Sequence, residues 1–126
     1  EIDNKKIKIE VDKKLTGNLY LTKSIIENPR FKELTSKLKK WNKYNRVFGY
    51  HFCKIAENEL DATATFPTDP KRIGEWDVCA PSVILEEAQG VVTDFYGKKF
   101  IFNNKIPYYS RGVIAQKIKG IIKFLK

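Results

Sequence analysis

No methionine occurs in these 126 residues, histidine occurs once, and cysteine and tryptophan occur twice each. With no methionine and Glu1 in first place, the chain is expected to be a piece of a longer translation product, something N-terminal having been removed or omitted. No window is apolar for long enough to cross a bilayer, which excludes a helical membrane span within these residues, and no secretory leader is expected. Cys53 and Cys79 have no second metal-ligand pair around them. Both fall in segments that read as helical with apolar neighbours, where cysteine behaves as a small buried hydrophobe. A reduced cytoplasmic protein is the default reading, and a disulfide between the two stays open. His51 has no nucleophile or acid near it in sequence, so it is expected as a partly buried helix residue and not as a catalytic base. Internal repeats, low-complexity tracts and linkers are also missing, which leaves one domain with room for a real core.

What the chain has in excess is positive charge, a formal +9. A basic face is the electrostatic footprint of phosphate-backbone binding. The lysines, however, are scattered from Lys5 to Lys123 and no nucleic-acid signature accompanies them. Attraction for small phosphorylated anions is expected instead of a dedicated nucleic-acid role.

Strands and helices mix along the chain. Lys6–Val11 and Asn18–Thr22 alternate polar and apolar residues as half-buried strands do. Asn28-Pro29 reads as a capped helix start, with Phe31, Leu34, Leu38 and Trp41 as its apolar stripe. Asn45–Gly49 suits a short strand turning into a helix that carries Phe52, Ile55 and Ala56, and Asp61–Phe66 is the next strand. Pro67, Asp69, Pro70 and Gly74 mark a loop. Val91–Thr93 and Lys99–Phe102 bracket a turn and read as a hairpin, Gly112–Ala115 as a last strand. Gln116–Lys126 closes as a helix with Ile118, Ile121, Ile122 and Leu125 on one stripe. The expectation is an α/β domain with a mixed sheet of about five strands flanked by helices.

The stretch Gly74–Asp94 organises the rest. Proline is cheap only in a first helical turn, so Pro81 places the helix start near Asp77 or Val78. Ala80, Val83, Ile84 and Ala88 follow at helical spacing, and Gly90 supplies the stop. An aspartate at that start is either an N-cap or something more specific.

The words Trp76-Asp77-Val78-Cys79-Ala80-Pro81 through Glu87-Ala88-Gln89-Gly90 to Thr93-Asp94 resemble the second signature of the inositol monophosphatase superfamily of magnesium-dependent, lithium-sensitive phosphatases. That signature runs WD, small residues, an aliphatic pair, EAGG, then an aliphatic-Thr-Asp strand. The resemblance implies that Asp77 is a ligand for Mg2+. Gln89 departs from it, standing where the family has the first glycine of a pair.

The likeness extends along the chain. Asn4–Ile9 looks like the segment after the family's "NG" turn. Phe52–Asp61 looks like its helix ending in A-E-G-x-x-D, with Asn58 for the glycine. Ser110-Arg111-Gly112-Val113-Ile114-Ala115 resembles a strand of the 3'(2'),5'-bisphosphate nucleotidase branch, where Cys79-Ala80-Pro81 is also a known spelling. What is matched is the C-terminal half of the family's fold. The upstream glutamate and the D-P-x-D-G-[ST] loop that supply the remaining ligands have no counterpart here, since Asp69-Pro70-Lys71 does not continue.

By the same likeness, Gly49, Thr65 and Arg111 stand at substrate-binding positions, although neither the branch's G-S-S-x-K patch nor its arginine after the strand is spelled out. Glu57, Asp61, Asp69 and Glu75 read as turn, helix-end or surface acids. The resemblance implies the C-terminal domain of a magnesium-dependent phosphomonoesterase acting on a nucleotide bisphosphate. Alternatives are an inositol or sugar monophosphatase of the same superfamily, or a domain that kept the fold without the chemistry. Its partners would be a small phosphorylated metabolite and the N-terminal half of the same enzyme, and an uncovered apolar face would favour homo-oligomers.

Overall fold

The computed structural model describes residues 9–32, 42–43, 48–69 and 72–125. Its elements are β1 (Leu19–Leu21), α1 (Lys23–Ile26), a 3-10 turn at Pro29–Phe31, β2 (Asn42–Lys43), α2 (Phe48–Ala56), β3 (Ala62–Thr65), α3 (Glu75–Glu87), β4 (Val91–Thr93) and β5 (Val113–Gln116). They form one five-stranded sheet in the order β2-β1-β3-β5-β4. The first three strands run parallel, and β5 is antiparallel to both its neighbours. The mixed α/β architecture expected from the sequence is the one found.

Alternation along each strand divides the core between two faces. Leu19, Leu21, Ala62, Ala64 and Ile114 point to one side, where they meet Ile25, Phe31, Phe95 and Ile122. Val92, Val113 and Ala115 point to the other, where Phe52 and Ile55 of α2 and Val78 and Leu85 of α3 cover them.

Several local expectations are corrected. Ile9–Val11 form no strand, although the Val11 N–H donates to the Ala88 carbonyl at 2.8 Å; the rest of that expected strand lies outside the described residues. The capped start at Asn28-Pro29 is present, its side chain accepting from the Arg30 N–H at 3.0 Å, but Leu34, Leu38 and Trp41 lie outside the described residues. Phe48 and Gly49 open α2 instead of closing a strand, and 44–47 are not described. Lys99–Phe102 do not pair with β4. The Asp94 carboxylate accepts the N–H groups of Tyr96 (2.8 Å) and Lys98 (3.0 Å), closing a turn after which the chain leaves the sheet. β5 takes the vacant place beside β4.

The expected C-terminal helix is not formed among the described residues either. Gln116 belongs to β5, its Oε1 accepts the Ile122 N–H at 2.9 Å, and Gly120 turns at φ +99°, so 117–125 wrap the sheet as irregular chain. Both cysteines are free, Cys53 half-buried and Cys79 on the exposed side of α3, contrary to its expected burial. His51 is fully buried, more than expected, with its ring 4.8 Å from Tyr20.

α3 begins earlier than the proline rule placed it, and of the four apolar residues noted at helical spacing only Ala88 is buried. Val78, Pro81, Ser82 and Leu85 are buried, while Ala80, Val83 and Ile84 face solvent beside the exposed Trp76. Pro81 is therefore interior to the helix. It withholds an N–H from the Asp77 carbonyl, and burial of its ring against α2 offsets that loss.

The helix ends on Gln89 at φ +70°, with the Gly90 N–H returning to the Leu85 carbonyl at 2.9 Å. This is a tight left-handed stop built without the family's glycine. Gly90 has no such latitude, because a Cβ there would sit 2.4 Å from Leu85 Cδ1. Left-handed backbone costs a side chain about 1–2 kcal/mol, and glycine's greater freedom when unfolded cancels part of the relief. Gln89→Gly is therefore expected to raise stability by about 0.5–1 kcal/mol. An unchanged or lower urea midpoint at constant m-value would refute it.

Candidate functional site

Asp77 is the third residue of α3, not its cap. The cap is Gly74, whose N–H donates to Asp77 Oδ2 at 3.1 Å while its carbonyl accepts the Asp77 N–H at 3.1 Å. This is the return half of a capping box, and it places the carboxylate at the positive end of the helix dipole. Asp77 is half-buried, and its Oδ1 has no hydrogen-bond partner among the described residues. At Gly74 a side chain would have to displace the exposed Trp76 ring. The Trp76 ring folds over it, and a Cβ would lie 2.4 Å from that ring.

The helix start is pinned from outside. The Glu75 N–H donates to the Pro107 carbonyl at 2.9 Å, Gly74 bridges Tyr108, and the Tyr109 N–H reaches the Ile73 carbonyl at 2.9 Å. The Glu75 side chain completes the clamp, accepting the Asn103 N–H at 3.0 Å, the Asn104 N–H at 2.9 Å and the Asn104 side-chain amide. The Asn104 backbone N–H above all holds the Glu75 carboxyl below its usual range. Burial, then the charges of Glu75 and Cys79, push the Tyr109 hydroxyl up to about 12.

The expected substrate positions converge only in part. Thr65 closes β3 opposite Val113, on the face that α2 and α3 cover, and is 8% exposed. Arg111 lies two residues before Val113, but its Nε pairs with Asp94 at 3.3 Å and its guanidinium lies 4.2 Å from the Tyr96 ring centroid. That geometry is a structural ion pair. Gly49 sits in the first turn of α2 against Pro81, one helical turn beyond Asp77, and a Cβ added there would meet Pro81 at an ordinary 3.8 Å. Neither space nor backbone demands a glycine at 49.

Two of the acids expected at turns, helix ends or the surface do more than that. Glu75 is the clamp just described. Asp61 is buried, and both its oxygens are engaged: Oδ1 by the Thr16 N–H (2.8 Å) and hydroxyl (3.0 Å) and by Lys117 Nζ (3.5 Å), Oδ2 by the Gly17 N–H (2.7 Å). Glu57 is a surface partner of Lys54, as expected. The Asp61–Lys117 pair escaped sequence reading because its members lie far apart in the chain. Only the Asn103-Asn104 doublet, a turn signal, could have pointed to the Glu75 clamp.

Among the described residues, no group of three or more histidine, cysteine, aspartate and glutamate side chains could hold a metal ion. Asp77 suits a hard divalent cation as one donor. Magnesium needs several such oxygens in octahedral array, so the described residues supply a ligand but not a site.

The fold is that of solved inositol monophosphatase structures, and the family profile matches residues 1–123. The chain belongs to the Inositol monophosphatase family, whose members are as a rule metal-dependent. It is similar to a fructose-1,6-bisphosphatase/inositol-1-monophosphatase of Thermotoga maritima, 37% identical over 51 residues, which is 40% of this chain and 20% of that protein. Among solved structures it resembles an extragenic suppressor from Pyrococcus furiosus (TM-score 0.65, 18% identity, covering 88% of this chain and 42% of that one). It also resembles inositol monophosphatase II from Staphylococcus aureus (TM-score 0.61, 15% identity, 86% and 40%). The chain thus spans about two fifths of the length of these structures. No helix among the described residues is long and apolar enough to cross a membrane.

Proposed function

We propose that residues 1–126 are a single domain equivalent to the C-terminal half of a magnesium-dependent phosphomonoesterase, and that Asp77 is the metal ligand this half contributes. The observation that carries the reading is a half-buried carboxylate at the start of α3, one oxygen fixed by Gly74 and the other uncommitted, in a chain of this family. When bound, the metal would activate water and neutralise charge on the transferred phosphoryl group. This chain's own part is to hold the carboxylate: the Gly74 bond orients it and the Glu75 clamp fixes the helix start.

The substrate is a small phosphorylated metabolite, and the enzyme works in the cytoplasm beside its N-terminal half. Nucleotide bisphosphate is the reading favoured by the Ser110–Ala115 and Cys79–Pro81 spellings. A sugar or inositol phosphate is favoured by the likeness to the Thermotoga maritima protein.

The 126-residue chain alone should show no magnesium-dependent turnover of a phosphate monoester and only weak cation binding. Titrated with Mn2+, it should lose NMR amide intensity first around Gly74–Val78, and Asp77→Asn should remove that effect. Broadening that survives the substitution, or turnover by the chain alone, would sink the divided-site reading.

A further inference from the structure

The loop from Lys98 to Arg111 folds into a cleft of about 490 Å3 on the outside of the β4–β5 end of the sheet. That volume lies in the range of small-molecule sites, about 300–1,000 Å3. One part of its wall is cationic. Lys98, Lys99 and Lys105 line it, and none of them has an ion pair among the described residues. The one carboxylate on the wall, Asp94, is already matched by Arg111 at 3.3 Å, so the cleft carries a net positive charge of about three lysines. Another part is aromatic. Phe100 and Tyr109 pack with ring centroids 4.5 Å apart, and Tyr108 meets Trp76 edge-on at 5.5 Å.

The cleft is also shaped in advance. The Tyr109 hydroxyl donates to the Ile101 carbonyl at 2.9 Å, and the Glu75 carboxylate holds Asn103 and Asn104. Ile101 and Ile106 on its wall are each 75% exposed, the most exposed large apolar side chains described. Unpaired ammonium groups beside exposed apolar and aromatic walls match a ligand with the same two halves.

We infer that this cleft binds a small organic anion, a phosphate or carboxylate carried on a flat ring. Its charge would face Lys98, Lys99 and Lys105, and its ring would lie against Phe100, Tyr108 and Tyr109. Asp77 does not line the cleft, so this inference and the phosphatase reading stand or fall separately.

The probe is phenyl phosphate, titrated into the 126-residue chain and followed by amide NMR shifts, with inorganic phosphate and phenol as the separate halves. Phenyl phosphate should give saturable shifts mapping to 98–111. Each half alone should bind about tenfold more weakly, and raising salt from low ionic strength to about 0.5 M should weaken the complex. The Lys98→Ala/Lys99→Ala/Lys105→Ala variant should weaken it about tenfold without changing the fold seen by circular dichroism. An unchanged affinity in that variant overturns the inference, as does equal binding of inorganic phosphate. If the variant fails to fold, insensitivity of the unmodified chain to salt overturns it equally.

Discussion

Lys117→Met should cost about 3–5 kcal/mol of stability, the effect of stripping one partner from a buried ion pair. Lys117 is fully buried, and its Nζ donates to the Lys14 carbonyl at 2.7 Å and to Asp12 at 3.3 Å while lying 3.5 Å from Asp61. Methionine fills similar volume but leaves the Asp61 carboxylate, 2% exposed, without its counter-charge. The loss also frees 12–17, since that segment is held by Asp61 from one side and Lys117 from the other. Against a total of about 5–15 kcal/mol for a domain, so large a loss should lower the melting temperature by roughly 10–20 °C. Adding Asp61→Asn to Lys117→Met should restore part of it, because an uncharged amide no longer strands a charge and still accepts from Thr16. A change below about 1 kcal/mol in urea titrations would mean that water reaches the pair, as at a surface bridge.

Asp77→Asn, placed in an enzyme that joins this chain to the rest of its family's ligands, should abolish turnover while leaving the fold intact. The amide oxygen can still accept the Gly74 N–H. The stability change should stay within about 1 kcal/mol, the range of capping and helix-dipole terms. The catalytic loss should be far larger. If the metal's charge stabilisation is worth about 4 kcal/mol in the transition state, removing its ligand costs roughly a thousandfold in kcat. Steady-state kinetics with thermal unfolding on the same preparation separates the cases. Wild-type kcat in the variant would leave Asp77 as a helix-start residue and nothing more.

Much of the architecture was legible because strand alternation and helix spacing are local. Misreadings arose where two local rules competed or a distant contact decided. α3 carries apolar residues on both sides, Ala80, Val83 and Ile84 as well as Val78, Pro81 and Leu85, so spacing alone could not say which set faces inward. Sequence places Pro81 in a first turn because the cost of an interior proline is visible there, whereas the burial that offsets it is not. Ile118, Ile121, Ile122 and Leu125 have helical period, yet Gln116 is claimed by the sheet and the chain beyond it is tethered by Leu125 N–H to the Phe95 carbonyl at 2.7 Å. Asp77 was found through its neighbours in sequence. The bond to Gly74 that orients it depends on the folded loop and has no mark in the sequence, and Glu75's hold on Asn104 is marked only by the Asn103-Asn104 turn signal.

The place of β5 has a consequence for the order in which this molecule can be made. Ala62 pairs with Gln116 and Thr65 with Val113, so the middle of the sheet waits for a strand synthesised long after its partner. Until β5 arrives, β3 and β4 have no contact through which to share a sheet, and the apolar sides of α2 and α3 lack Val113 and Ala115, the core residues that β5 supplies. Closing that long stretch of chain carries its entropy cost before the pairing rewards it, which makes for slow acquisition of structure. A nascent chain on the ribosome should therefore resist protease only once β5 has cleared the exit tunnel, and until then its bare strand edges would be candidates for chaperone capture.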